Sequence, residues 1–217
     1  MTTQTALTPA TAKRPMGAFL APVSLILGPV LLALALATLH EPWIGEAPDY
    51  EIINNEHGQL MLSFNLAAAA FPFMFGSVFA LAVAGRSSRR LAGAGLACSV
   101  LGLSAMFANA MLSVPLALMN GINEHTALDE LATRLSSPPL VALFAFPLFF
   151  VGSLLSGAAL RHTVPTWAAA CVAIGGLFPI AVVTGVGVLA LPIAALRVAG
   201  SVPVIKLFLL NRADAGR

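Results

Sequence analysis

Charge is the scarcest commodity in this chain: 9% of its 217 residues are Asp, Glu, Lys or Arg, against 59% hydrophobic, with a mean hydropathy of +0.92. Soluble domains carry about a quarter charged residues. A chain this poor in charge has no means of clothing a water-facing surface. The bases that exist lie in short segments and the net charge is only +2, so there is no basic stripe for nucleic acid. The two cysteines, Cys98 and Cys171, sit inside apolar runs, which argues against a disulfide framework. No Gly-rich phosphate loop is present, and no segment between hydrophobic runs is long enough to hold a nucleotide-binding domain. Cofactors are not expected.

Long apolar runs remain. They span about 16–39, 60–85, 91–119, 138–160, 166–186 and 189–210. An α-helix rises about 1.5 Å per residue and the hydrocarbon core is about 30 Å thick, so about twenty residues make one crossing. The segment from Thr166 to Leu210, broken only by Arg197 and Lys206, is long enough for two. Thr184-Gly185-Val186-Gly187 is the best turn between them. The expected fold is therefore all-α, a polytopic transmembrane helical bundle of six spans with outer loops at 40–59 and 120–137.

Orientation follows from the bases. Lys13, Arg14, Arg86, Arg89, Arg90, Arg161, Arg212 and Arg217 occupy the termini and the short turns, whereas the two longer loops hold eight of the nine acids. Positive residues in short loops stay cytoplasmic. Both termini are then cytoplasmic, which demands an even number of spans. Residues 1–15 are expected as a disordered cytoplasmic tail and 212–217 as a second one. A cleavable signal peptide ending near Ala35-Leu36-Ala37 is the competing reading of the start, but a run of 24 residues exceeds the usual signal core. The expected location is the cell membrane of a bacterium, and the expected partners are the bilayer and either another membrane protein or a second copy of the chain.

The runs also repeat. "AFPFMFGSVFALAVAGR" (Ala70 to Arg86) matches "AFPLFFVGSLLSGAALR" (Ala145 to Arg161), and Gly17 to Pro29, Gly93 to Ala105 and Trp167 to Pro179 resemble one another. Basic turns recur about every 72–75 residues. Three parallel copies of one helical hairpin explain this, with Val202-Pro203 standing in the third copy where the others carry Phe-Pro. Chance similarity of Ala/Leu/Gly/Phe helices is the alternative. The small-residue spans three and five are expected at the packed centre, and the Phe-rich spans two and four against lipid or filling between them.

Chemistry-bearing residues are few. His40-Glu41, Glu56-His57 and Glu124-His125 place imidazole beside carboxylate in the outer loops, a donor set that suits divalent metal. No ligand-like spacing accompanies them, so His40, Glu56, His57, Glu124 and His125 read chiefly as topology markers and no metal is assigned. Within the spans, Asn65, Asn109 and Arg197 are the binding candidates, because polar groups are costly in a bilayer. The amides read more readily as interhelical glue. Arg197 is expected to snorkel outward or to pair with Glu124 or Asp129. An anionic ligand is the sharper alternative.

The whole-chain layout and the closing "LRVAGSVPVIKLFLLNR" (Leu196 to Arg212), a Pro-containing last span ending in a basic tail, resemble small bacterial multi-span proteins of the domain-of-unknown-function type, above all those of actinobacteria. The resemblance implies a polytopic fold and carries over no functional residues. The expected role is small-molecule transport, permease assistance or ligand binding, without catalysis. A non-catalytic subunit or regulator of another membrane protein is the first alternative. A membrane enzyme or metal-binding protein using the outer His/Glu pairs is the second.

Overall fold

In an apolar solvent every backbone N–H and C=O must find its partner within the chain, and an uninterrupted run of Ala, Leu, Val and Phe meets that demand as a helix. A computed structural model of the protein describes residues 17–38, 57–118, 140–179 and 186–214. These contain six α-helices and, among the described residues, no strand. They are α1 (Gly17–Thr38), α2 (His57–Ala84), α3 (Arg89–Leu118), α4 (Leu140–Leu160), α5 (Thr166–Ile174) and α6 (Ala190–Asp214). Segments of α1, α2, α3 and α6 are apolar and long enough to cross a membrane, while Phe146–Leu160 and Thr166–Leu177 are shorter apolar stretches. The tail 1–15, most of both outer loops and Trp43 lie outside the described residues.

One helix is interrupted and another ends later than the sequence expectation. Beyond Ile174, α5 tightens into a 3-10 turn at Gly175–Leu177, where two consecutive glycines loosen the helical preference. Of the expected turn at 184–187, the described part begins at Val186, which leaves the helical region and leads through the 3-10 turn Gly187–Leu189 into α6. The last helix runs to Asp214 rather than stopping near Leu210. No Gly or Pro stands between Pro203 and that point to end it.

Short turns at one end of the bundle set the antiparallel order. The Gly85 amide donates to the Leu81 carbonyl at 2.9 Å and the Ser88 amide to Gly85 at 3.0 Å, closing α2 before the 3-10 turn Arg86–Ser88 leads into α3. At the second turn the Thr163 amide and hydroxyl both donate to the Leu160 carbonyl, at 2.8 and 3.0 Å. The carbonyl of Pro165 then receives the Ala168 amide at 2.9 Å and starts α5. We call this the turn end, and the opposite end the loop end.

Each helix packs on its predecessor and successor in the chain, and α6 returns to α1, so the six close into a ring. Helix α2 also reaches across to α4 and α6. Helices α3 and α5, which the sequence analysis placed together at the centre, do not pack extensively on each other among the described residues. The Phe-rich returning helices lie further in: Phe71 and Phe149 are buried, and only Phe79 of the described α2 and α4 phenylalanines is exposed. The reason is close approach within each hairpin. A Cβ on Gly28 would lie 2.8 Å from the Met74 amide nitrogen, one on Gly102 2.6 Å from that of Phe149, and one on Gly175 2.5 Å from the Cβ of Arg197. The small residues of α1, α3 and α5 therefore serve their own hairpin partners and draw the bulkier returning helices inward.

Two apolar clusters fill the ring. One, toward the loop end, joins Leu32, Phe71, Met74, Leu103, Phe149 and Phe178. The other, toward the turn end, joins Leu25, Leu81, Leu160, Val172 and Val204.

Candidate functional site

Between the two clusters lies a polar layer. Along α6 the first cluster ends at Ala194 and the second includes Val204, and Arg197 and Ser201 fall between them. On α4, Ser153 stands between Phe149 and Leu160, and on α2, Ser77 sits beside Val78 where the two clusters meet. On α1 and α3, Ser24 and Ser99 pack against the backbone positions of Gly76 and Gly152, beside the layer rather than within it. All six side chains are buried, Arg197 to 1% exposure. Arg197 follows the start of α6 by seven residues, about 10 Å of rise, and lies within the apolar segment Gly187–Leu210.

Local sequence explains how so large a cation fits. Its Cβ lies in the space that a side chain at Gly175 would take. The guanidinium then reaches toward α4, where Nη1 donates to Ser153 Oγ at 3.3 Å and the cationic carbon lies 5.5 Å from the centre of the Phe149 ring. Nε has no hydrogen-bond partner, and neither has Ser77 Oγ. Ser201 Oγ instead donates to the Arg197 carbonyl at 2.8 Å, occupying its hydroxyl within its own helix. Among the described residues no carboxylate side chain meets Arg197. Glu124 and Asp129, its expected partners, lie outside them.

Burial corrects the expectation that Arg197 snorkels. The side chain is buried within the chain rather than reaching out from it, because the Gly175 contact turns its face of α6 toward α4 and α5. A cation held there by one long hydrogen bond and one ring face retains donors for an anion. Its five N–H groups form a planar fork that suits carboxylate or phosphate oxygens.

The other sequence candidates do not join it. Asn65 is exposed on α2, near the loop end, and does not face the layer. Asn109 is on α3, but its side chain lies outside the described residues. His40, Glu56, Glu124 and His125 also lie outside them, as does the side chain of His57. Among the described residues no group of three His, Cys, Asp or Glu is placed to hold a metal. Cys98 and Cys171 are free thiols. Ser63, two residues before Asn65, is buried at the loop end and donates to the Ala35 carbonyl at 2.8 Å, tying α2 to α1.

Sequence reasoning missed the serines. Their signal was the dipeptide Gly-Ser, which occurs in each returning helix at 76–77, 152–153 and 200–201. No protein-family model, curated protein or solved structure matches the chain.

Proposed function

We propose that the protein is a six-span, non-enzymatic membrane protein, with both termini cytoplasmic, that binds and passes a small anionic solute through the layer around Arg197. One observation carries this reading: a buried guanidinium with an unpartnered Nε, whose one side-chain hydrogen-bond partner among the described residues is a hydroxyl of a neighbouring helix, Ser153. Buried ionisable groups in spans are expensive and usually mark a solute path. The apolar clusters on either side correspond to a closed state, with the layer shut off from both faces. A carboxylate, or another anion small enough to meet one guanidinium and the Ser153 hydroxyl, is the fitting class.

Three parallel hairpin repeats form part of the same reading. Gly76, Gly152 and Gly200 each pack on the outgoing helix of their own hairpin, at Ser24, Ser99 and Cys171, and each is followed by a serine of at most 1% exposure. On this reading the third copy aligns on Gly200-Ser201 rather than on Val202-Pro203, with Gly76 and Gly152 offset by one residue in the Phe-Pro alignment of the first two. Arg197 is then the feature in which the third copy departs from the first two. Parallel repeats about an axis along the membrane normal are a recurrent transporter design. They support transport without establishing it.

Reconstituted vesicles test the proposal. Protein in phosphatidylcholine vesicles loaded with acetate, chloride or inorganic phosphate should release at least one of them faster than empty vesicles, and Arg197→Met should abolish the difference. Equal release by the Arg197→Met variant would overturn it. A non-catalytic subunit of another membrane protein is the reading then favoured, since the two clusters would simply seal the bundle.

A further inference from the structure

A second site, on the outer surface of the bundle, is independent of the Arg197 layer. At the turn end, α2 and α3 diverge around a groove of about 230 Å³, with Phe79 and Val83 on one wall, Gly93 and Leu96 on the other, and Arg86 and Arg89 at its end. Phe79 is 52% exposed and Val83 40%, and a Cβ on Gly93 would meet nothing within 4 Å, so the groove is open along its length. Arg90 adds a third exposed cation next to Arg89. Residues 57–118, which contain both walls and the turn, include no Asp or Glu, so the helices of the groove offer these guanidiniums no carboxylate.

The position decides what fits. The apolar segment of α2 ends at Ala84, two residues before Arg86; on the membrane topology proposed above, which this inference rests on, the cations would stand where hydrocarbon gives way to headgroups and the walls within the hydrocarbon. An occupant must be apolar along one part and anionic at its end. Guanidinium binds phosphate oxygens in pairs, with shorter and stronger bonds than a neutral donor makes. Basic pockets between spans on the cytoplasmic side are a known form of anionic headgroup recognition. We propose that this groove is a binding site for one anionic phospholipid, its phosphate held by Arg86 and Arg89 and an acyl chain lying between Phe79, Val83 and Leu96. A free phosphate would satisfy the guanidiniums but leave the walls uncovered.

Native mass spectrometry of the full-length protein in detergent, titrated with dioleoyl-phosphatidylglycerol, tests this. Dioleoyl-phosphatidylcholine and inorganic phosphate are titrated in parallel. One phosphatidylglycerol should saturate each chain at concentrations where phosphatidylcholine adds none. Arg86→Gln/Arg89→Gln should weaken it by about tenfold or more, since both charge-assisted contacts are lost. Gly93→Leu should weaken it with the arginines intact, because it fills the groove. Arg161→Gln, at the other turn, should leave it unchanged. Circular dichroism melting of each variant confirms that it is folded. Equal uptake of both lipids, equal loss with Arg161→Gln, or retention in the Gly93→Leu variant would each overturn the site. Phosphate binding as tight as the lipid's would overturn the lipid assignment and leave a simple anion site.

Discussion

Replacing Arg197 by Met should cost the bundle little stability or add some, while removing the anion affinity proposed for it. The substitution gives up the 3.3 Å hydrogen bond to Ser153, a contribution of about 0.5–1.5 kcal/mol. It also gives up the guanidinium over Phe149 at 5.5 Å, about 0.5–2 kcal/mol. Against this stands the cost of holding an arginine in the apolar interior, about 2.5–3.5 kcal/mol on insertion scales. The balance runs from a loss of about 1 to a gain of about 2.5 kcal/mol, mostly in favour of methionine. Methionine also fills irregular space and places its sulfur against the Phe149 ring. Equilibrium unfolding in mixed micelles, followed by circular dichroism, reads the difference. A loss of about 3 kcal/mol or more, the size seen when a needed buried ion pair is broken, would refute the reasoning. It would mean that Arg197 holds the bundle together rather than serving a solute.

The remaining predictions concern packing and topology. Gly102→Leu should destabilise the protein by about 1–3 kcal/mol or more, because even the first added atom lands 2.6 Å from the Phe149 backbone nitrogen; thermal unfolding in detergent measures it. Gly93→Ala, on the open side of the same helix, should be neutral or stabilise by up to about 1 kcal/mol in that assay, through helix propensity alone. Reporter fusions after Arg90, Arg161 and Arg217 should score as cytoplasmic and a fusion after Glu124 as external. A C-terminus scored outside would sink the six-span topology.

Much of the helical architecture was legible in the chain, because apolar length translates directly into helix where no water is available. The positions of α1, α2, α3 and α4 fall close to runs that hydropathy alone marks out. Helix ends were less visible. Gly175-Gly176 disturbed α5 inside an apolar run, and α6 continued through Arg212 for want of a breaker, and neither effect changes hydropathy. Which face turns inward was harder still. Glycine content pointed to spans three and five as the centre, yet a glycine in a lipid-soluble bundle records how near one partner comes, not how near the axis it lies. Gly28, Gly102 and Gly175 each serve the following helix of their own hairpin. Of the site, Arg197 stood out by its cost, but its burial did not, because snorkelling and burial look alike in one dimension. The serines were unremarked for a related reason: a hydroxyl costs little in a helix that can bond it to its own carbonyls, as Ser156 does with Gly152 at 2.8 Å.

The central claim is that the layer around Arg197 opens to a water-borne anion. A cysteine at position 153 reports on it most directly. In a background carrying Cys98→Ala and Cys171→Ala, Ser153→Cys should react with a sulfonated methanethiosulfonate in reconstituted vesicles, and the transported anion should slow the reaction. Adding Arg197→Met should slow the anionic reagent more than a cationic one. A thiol at 153 that stays unreactive in the folded protein, yet reacts fully once the protein is unfolded in detergent, would show that the layer never meets water and would contradict the account.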